Sequence, residues 1–202
     1  LPLTVFRLRD EDEIAVLEMG ISDFGEMTRL AKIAKPDTCV ITNIGTCHLE
    51  NLGDRDGVLK AKTEIFKYVK KNIVLNGDDD KLSTVKEYNG IQPVFFGNGE
   101  NASVTCENVE SRGLKGMSCD ICLKGKMAEN GEFQKFHVEI PMPGRHMVSN
   151  ALAAAAIGRL YGLNAEQIKN GIESLEPVSG RFNMIETDKF MIVDDCYNAN
   201  PM

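Results

Sequence analysis

The stretch DTCVITN at residues 37–43 decides the fold together with two that follow it, DRDGVLKAKTEIFKYVKK at residues 54–71 and NIVLN at residues 72–76. The first and third are short apolar runs typical of buried strands, and the second has the apolar spacing of a helix. A strand, a helix and a second strand in this order indicate a βαβ unit with parallel strands. The stretch therefore predicts a parallel sheet covered by helices.

Further elements of the same kind lie on both sides of this unit. We predict strands at residues 14–20 (IAVLEMG) and 92–97 (QPVFFG), and helices at residues 23–35 and 81–88. Asp23 is a candidate N-cap for the first helix, because an aspartate there can accept a hydrogen bond from a free backbone N–H group.

The pattern changes after residue 101. Residues 102–140 alternate and contain turn signals, which predicts two or three antiparallel strands. An apolar helix at 143–162 and a second helix at 164–175, capped by Asn164, follow, and then a hairpin at 183–195. The predicted class is α/β: a mostly parallel sheet flanked by helices, with a small antiparallel sheet.

Composition limits the class of protein. The 202 residues are 43% hydrophobic and 26% charged, as in a soluble globular protein. A net charge of −7 argues against general binding to nucleic acids or anionic membranes. No apolar run is long enough to cross a bilayer, and the charged start does not have a signal-peptide pattern. Since the chain lacks an initiator Met, we expect a fragment of a longer cytoplasmic protein.

The six cysteines show no paired framework. The CDIC sequence at residues 119–122 resembles half of a zinc or redox site, but no second pair or nearby histidine completes it. On a strand, Cys119 and Cys122 would point to opposite faces. We therefore expect reduced cytosolic thiols.

Polar side chains follow several predicted strands. Glu18, Asn43, His48 and Asp78 all lie at or just past a strand end. Ligand sites in open α/β sheets lie beyond the carboxyl ends of the strands, and oxygen-rich groups there suit Mg²⁺ beside phosphates. The alternatives are a solvated carboxylate for Glu18 and a loop histidine without a ligand for His48.

Lys62 falls on the apolar face of its predicted helix. At about 100° per residue, that face contains five apolar side chains. They are Val58, Ala61, Ile65, Phe66 and Val69. Because burying an unpaired ammonium is costly, Lys62 must reach solvent, pair with an anion or be modified.

Two residues of the second half are further candidates. Asn150 interrupts an apolar helix, so its amide needs an internal partner or a ligand. Arg181 follows Gly180 between two elements, where it could bind a phosphate, although surface arginines are common. The chain contains neither the Walker A pattern nor G-x-G-x-x-G, so it lacks a phosphate-cradling loop of these types.

Seven segments, in this order and spacing, together resemble the Mur ligase family. They are VLEMG (16–20), VITNIGTCHLE (40–50), KAKTEIF (60–66), VLNGDDD (74–80), PGRHMVSNALAAAA (143–156), SGRF (179–182) and DDCYNANP (194–201). The resemblance covers nearly the whole chain. It implies that residues 1–178 are a central ATP-binding domain without its N-terminal P-loop part, and that residues 179–202 begin a C-terminal ligase domain.

The resemblance also implies an activity. Mur ligases form amides with ATP, through an acyl phosphate on the acceptor carboxylate. The segments resemble those of a member that joins D-alanyl-D-alanine to UDP-N-acetylmuramoyl-tripeptide in peptidoglycan synthesis. We accordingly expect these two substrates, ATP and two Mg²⁺ ions for the full-length parent, and a monomer that neither binds nucleic acid nor inserts into membranes. Without the P-loop, the isolated chain should not turn over substrate.

The family's metal-site residues match three positions here. By motif, Glu18 corresponds to a Mg²⁺-binding glutamate and His48 to the histidine that helps to bind the second Mg²⁺. Lys62 corresponds to a lysine that is carbamylated by CO₂ and then faces the metal. This would account for a lysine on an apolar face, and for a histidine just past a strand.

Nucleotide contacts are implied by the second half of the chain. Asn150 matches the residue at the adenine, Arg181 the arginine that reaches the phosphates, and Asp195 the acid beside the ribose. Tyr197 and Asn198 match further nucleotide contacts.

Two residues and two alternative functions complete the expectations. Asn43 and Thr46 are expected to line the substrate side.

One alternative function is that of another Mur-type ligase, either the diaminopimelate- or lysine-adding enzyme or a folylpolyglutamate synthase. The YNANP sequence at residues 197–201 argues against it, since the diaminopimelate- or lysine-adding relative usually has D-Y-A-H-[TN]-P there. The other is a nucleotide-binding module without catalysis.

Overall fold

The computed structural model describes residues 1–178 and 180–197. The helices are α1 Pro2–Val5, α2 Glu26–Ala34, α3 Leu49–Leu52, α4 Arg55–Thr63, α5 Arg145–Leu160 and α6 Ala165–Glu173. The strands are β1 Thr38–Ile41, β2 Asn72–Asn76, β3 Val94–Phe96, β4 Val104–Ser111, β5 Met117–Lys124, β6 Phe133–Ile140, β7 Asn183–Glu186 and β8 Met191–Asp194. Short 3₁₀ segments occupy Glu64–Tyr68, Leu82–Thr84, Gly113–Lys115 and Gly125–Met127.

The chain forms two compact units, Leu1–Ala102 and a second that begins at Ser103. In the first, β2 pairs parallel with β1 and with β3. The centre of β2 is fully buried at Ile73, Val74 and Leu75, as expected for a strand covered on both faces. The βαβ unit is confirmed, with α3 and α4 in the crossover between β1 and β2.

The strand predicted at residues 14–20 is wrong. The structure assigns neither helix nor strand to these residues, and Val16 is 91% exposed. An apolar run forms a parallel strand only where a neighbouring strand pairs with it and other elements cover its faces. Glu18 consequently does not lie at the end of a strand.

The N-cap predicted at Asp23 is also wrong, because the N-cap of α2 is Gly25, two residues later. The Asp23 carboxylate instead accepts a hydrogen bond from the N–H group of Phe24 (2.7 Å). Glu64 supplies the cap from a distant part of the chain. Its carboxylate accepts hydrogen bonds from the N–H groups of Gly25 (2.9 Å) and Thr28 (3.1 Å).

The helix predicted at residues 54–71 forms, with a change of type. Asp54 is its N-cap and accepts a hydrogen bond from the N–H group of Gly57 (2.9 Å). Position 57 requires glycine, since a Cβ atom there would lie 1.8 Å from the carbonyl oxygen of Leu52. The last turns, Glu64–Tyr68, are 3₁₀, yet Ile65 and Phe66 remain buried as predicted.

The helix predicted at residues 81–88 shrinks to a single 3₁₀ turn, Leu82–Thr84. Shortly after it, the chain reverses at Asn89 and Gly90, both with positive φ, and Tyr88 pairs with Ile91. An Asn-Gly pair favours such a tight hairpin turn, which ended the helical pattern.

In the second unit, β5 pairs antiparallel with β4 and with β6. The pairing of β4 is irregular between Glu107 and Glu110, where Asn108 has a φ of 51°. Cys119 and Cys122 are both buried on β5, and all six cysteines of the chain are free.

Two helices and a hairpin follow the antiparallel strands. α5 is largely buried as predicted. α6 begins with a capping box, in which the Asn164 side chain accepts from the N–H group of Gln167, and the Gln167 side chain accepts from that of Asn164 (both 2.9 Å). β7 and β8 form the predicted hairpin. The α/β class, with parallel strands and a small antiparallel sheet, is confirmed, while the domain division at residue 178 stays a prediction.

Candidate functional site

The loop that leaves β1, residues 42–48, contains three of the predicted site residues, Asn43, Thr46 and His48, and is held by side chains from outside the loop. Three successive backbone carbonyl groups in it each accept a hydrogen bond from a distant side chain. The donors are Asn76 for Thr42 (2.9 Å), Lys62 for Asn43 (2.8 Å) and Arg55 for Ile44 (2.9 Å). The backbone that precedes Thr46 and His48 is therefore held in one position.

Lys62 is half-buried on α4, and its amino group donates to the Asn43 carbonyl oxygen. Burial lowers the pKa of Lys62 below its usual value, and the charges of Cys47 and Asp79 oppose this shift. The nitrogen of this lysine is thus hydrogen-bonded to the loop backbone at a position that solvent reaches.

His48 is the N-cap of α3 and has a φ of 60°. Its side chain is 46% exposed, and its Nδ1 atom lies 3.7 Å from Oε1 of Glu50. Thr46 and Cys47 beside it are also exposed. The imidazole is thus accessible from solvent at the end of the fixed loop.

Glu18 is not fixed in this way. It lies on the irregular segment before α2 and is exposed, and within the described residues no hydrogen bond or ion pair holds its carboxylate. Asp78 is committed elsewhere, since its Oδ1 atom accepts from the N–H groups of Asn98 (2.7 Å) and Gly99 (3.0 Å). Residues 1–178 and 180–197 contain no group of three or more His, Cys, Asp or Glu residues arranged to hold a metal ion.

The predicted nucleotide residues of the second unit include a cluster at the base of the β7–β8 hairpin. The Arg181 guanidinium lies 5.0 Å from the centre of the Tyr197 ring, and the Tyr197 N–H group donates to the Gly180 carbonyl oxygen (3.0 Å). Asp195 accepts from the N–H group of Phe182 (3.2 Å). Arg181, Asp195 and Tyr197 are all exposed, while Asn198 lies outside the described residues.

Asn150 is exposed near the start of α5, with its amide nitrogen 3.7 Å from the Met147 sulfur. It lines a cavity of about 460 Å³ between α5 and α6. The other walls are mostly apolar and include Ile140, Ala151 and Ile168. The lining also includes the amide of Gln167, so the cavity is mostly apolar with two polar side chains, as is common for small-molecule sites.

Residues 1–158 match the Mur ligase middle domain. The chain belongs to the Mur ligase family. It is 38% identical to the UDP-N-acetylmuramoyl-tripeptide–D-alanyl-D-alanine ligase of Bacillus subtilis, over 100% of this chain and 42% of the relative. The Mur ligase chain therefore spans less than half the length of this curated relative.

Two solved structures extend the comparison. MurF from Acinetobacter baumannii is 31% identical to this Mur ligase chain with a TM-score of 0.86, over 98% of this chain and 42% of that one. The MurF ligase of Thermotoga maritima, solved in complex with ADP, is 28% identical with a TM-score of 0.68, over 88% and 39% of the two chains.

The structure adds residues that the sequence did not single out in this Mur ligase chain. Arg55, Asn76 and Asp79 all bind backbone groups of the β1 exit loop. Their signal in the sequence is weak, because each acts on a backbone group that is distant along the chain. Among the described residues, no helix is long and apolar enough to cross a membrane.

Proposed function

We propose that this chain is the central part of an ATP-dependent amide ligase that joins D-alanyl-D-alanine to UDP-N-acetylmuramoyl-tripeptide. The observation that carries the proposal is the match over the whole chain to the Bacillus subtilis enzyme with this name. The ADP complex of the Thermotoga maritima relative supports an adenine nucleotide as the second ligand. We expect a cytoplasmic monomer.

The proposed reaction has two steps. The terminal carboxylate of the tripeptide attacks the γ-phosphorus of ATP, so that an acyl phosphate forms and ADP leaves. The amine of D-alanyl-D-alanine then attacks the acyl carbon, an amide bond forms, and phosphate and a proton leave. Because the protein must hold two anions in line, its contribution is mainly positioning and charge neutralisation.

The residues of this chain divide between the two substrates. Asn43 and Thr46 lie on the fixed β1 exit loop and would contact the carboxylate-bearing peptide. Arg181 is assigned to the ATP phosphates, which a guanidinium can bind through two hydrogen bonds. Asn150 at the edge of the apolar cavity is assigned to the adenine.

Asp195 is assigned to the ribose, and Tyr197 and Asn198 to further nucleotide contacts. Asp195 and Tyr197 adjoin Arg181 at the base of the hairpin, which supports a common ligand for these three residues.

Glu18, His48 and a carbamylated Lys62 would hold two Mg²⁺ ions, which neutralise phosphate charge when bound. The donor set suits this cation, since Mg²⁺ keeps several waters and takes one or two protein carboxylates together with phosphate oxygens.

Carbamylation would supply one of the carboxylates. The neutral amine of Lys62 forms a bond to the carbon of CO₂, one C–O π bond becomes a carboxylate, and a proton leaves the nitrogen. Partial burial favours the neutral amine that this reaction needs. The carbamate nitrogen keeps one N–H group, which can still donate to the Asn43 carbonyl.

A phosphate-release assay tests the proposal on the full-length protein that contains this chain. With ATP, Mg²⁺ and UDP-N-acetylmuramoyl-tripeptide, phosphate should accumulate only when D-alanyl-D-alanine is added. Phosphate release with diaminopimelate or lysine as the amine, and a dipeptide as the carboxylate substrate, would instead assign the protein to another Mur-type ligase. Binding of ATP without any release would support a module without catalysis.

A further inference from the structure

Ile44, in the β1 exit loop, is bound by side chains at both of its backbone polar groups. Its N–H group donates to Oδ2 of Asp79 (2.8 Å), and its carbonyl oxygen accepts from Nε of Arg55 (2.9 Å). The two side chains also face each other, with 3.7 Å between Nη2 of Arg55 and the same Asp79 oxygen. Ile44 is also only 2% exposed, so burial of its side chain holds it in addition to the two backbone hydrogen bonds.

The Asp79 carboxylate is itself held in place. Its other oxygen, Oδ1, accepts from the N–H groups of Lys81 and Leu82 (both 3.0 Å), and its side chain is 8% exposed. A buried carboxylate is tolerated only when it is paired and hydrogen-bonded, and all these partners meet that need. Asp79 thus ties the loop after β2 to the loop after β1.

Arg55 is anchored by a second carboxylate. Its guanidinium donates to both oxygens of Asp80, at 3.0 and 2.5 Å, which leaves Nε for the Ile44 carbonyl. A planar fork held at two points cannot easily rotate, so the third hydrogen bond is directed.

Arg55 and Lys62 act from the same face of α4. They are seven residues apart, which is about two helical turns. They donate to neighbouring carbonyl groups of one loop, Arg55 to Ile44 and Lys62 to Asn43. Any shift of Ile44 therefore moves the acceptor of the Lys62 nitrogen.

We propose that Arg55 and Asp79 are positioning residues, which hold Ile44 so that the Asn43 carbonyl orients the nitrogen of Lys62. This inference rests on the proposed function. With its N–H group directed to Asn43, the planar carbamate of Lys62 has a single orientation, and its carboxylate faces away from the loop. Neither residue touches a substrate in this scheme.

Three variants of the full-length ligase test the proposal. Arg55→Met removes the directed donor, and Asp79→Asn places an amide opposite the Ile44 N–H group or the Lys81 and Leu82 turn. Arg55→Lys keeps the charge but cannot make all three hydrogen bonds. Arg112→Met is the matched control, because Arg112 forms an ion pair with Glu139 and belongs to the second unit.

Two readouts are needed, so that loss of positioning is separated from loss of folding. The first is kcat/KM for phosphate release as a function of Mg²⁺. The second is the ¹³C NMR signal of the lysine carbamate in ¹³C-bicarbonate, scaled to folded protein by near-UV circular dichroism. Residues that orient a metal ligand typically change affinity or activity about 10- to 100-fold, and we expect a loss of that size for Arg55→Met and Asp79→Asn.

The expected pattern is a reduced carbamate signal per folded molecule in both variants, partial recovery in Arg55→Lys, and wild-type values in Arg112→Met. A wild-type carbamate signal per folded molecule in Arg55→Met and Asp79→Asn would overturn the proposal, and so would a wild type without any carbamate. The wild type could also carry the carbamate but release no phosphate, either with D-alanyl-D-alanine or with diaminopimelate or lysine. The proposed function then fails, while the NMR comparison still decides the positioning role.

Discussion

The amino group of Lys62 lies 2.8 Å from the backbone carbonyl oxygen of Asn43. The contact joins a half-buried lysine on α4 to a loop whose two flanking carbonyl groups are also bound by side chains. The amine is thus placed and partly desolvated without any carboxylate partner within hydrogen-bonding distance among the described residues. Both properties favour a lysine that is modified, or that binds an anionic ligand, over one that pairs with a carboxylate of this chain.

Substitution of Lys62 tests this reading directly. In the full-length ligase, Lys62→Ala should abolish most phosphate release, because it removes the amine that accepts CO₂, and added bicarbonate should not restore it. Lys67→Ala is the control, since Lys67 is exposed in the 3₁₀ turn after α4. Near wild-type turnover by Lys62→Ala would rule out its metal-bridging role.

Glu18 gives a separate test of the metal assignment. Glu18→Gln should raise the Mg²⁺ concentration needed for half-maximal turnover, or abolish turnover, because an amide is a weaker ligand for a hard cation than a carboxylate. Glu13→Gln provides a control on the same exposed segment. An unchanged Mg²⁺ titration for Glu18→Gln would remove this residue from the site.

Local sequence patterns predicted the elements whose causes are local. Residues 72–76 form β2 at the predicted bounds, because a continuous apolar run fills the buried centre of a parallel sheet. Asn164 caps α6 as predicted, since its partner Gln167 is three residues away. The segment 14–20 failed, because whether an apolar run pairs depends on neighbours that its own residues do not reveal.

The same distinction holds for the candidate site. Helical periodicity placed Lys62 on an apolar face, and the structure finds it half-buried there. Asp79 and Arg55 were missed, because they bind the backbone of Ile44. Every residue type has these backbone groups, so the sequence at position 44 does not reveal the contacts. The cap of α2 was misplaced for a related reason: Glu64, 39 residues from Gly25, provides it.

The isolated 202-residue chain should bind ATP weakly, because it contains no Walker A segment to surround the phosphates. We expect a dissociation constant above about 1 mM by titration calorimetry, which corresponds to less than about 4 kcal/mol of binding free energy. The full-length protein, measured in the same buffer with Mg²⁺, is the control. Tight binding by the isolated chain would show that its residues suffice for the nucleotide without such a segment.

The capping box of α6 predicts a loss of stability. Asn164→Ala removes the acceptor for the Gln167 N–H group, and such a change typically costs about 1 kcal/mol of unfolding free energy. Asn170→Ala, at an exposed interior position of the same helix, should instead be neutral or slightly stabilising, since alanine has the higher helix propensity. Urea titration measures both, and an equal effect of the two variants would contradict the role of the cap.

A polar cluster on the antiparallel strands should make stability depend on pH. Asp120 on β5 accepts a hydrogen bond from the Asn108 amide (2.8 Å) and pairs with His137 (2.8 Å). It also pairs with Lys135 (3.2 Å), and Lys135 in turn pairs with Glu107. Together, the hydrogen bonds from Asn108, His137 and Lys135 lower the pKa of the Asp120 carboxyl from 3.8 to about 2. The carboxylate is therefore favoured in the folded state over the unfolded one.

Because the folded pKa is the lower one, Asp120 stabilises the fold above pH 3.8, and this contribution is lost as the pH falls towards 2. Asp120→Asn should accordingly lower the thermal midpoint at neutral pH, and the difference from wild type should shrink as the pH drops through this window. Glu110→Gln, at an exposed position on β4, should show no such convergence. A difference between Asp120→Asn and wild type that stays constant from pH 7 to pH 2 would mean that the cluster does not stabilise the ionised carboxylate.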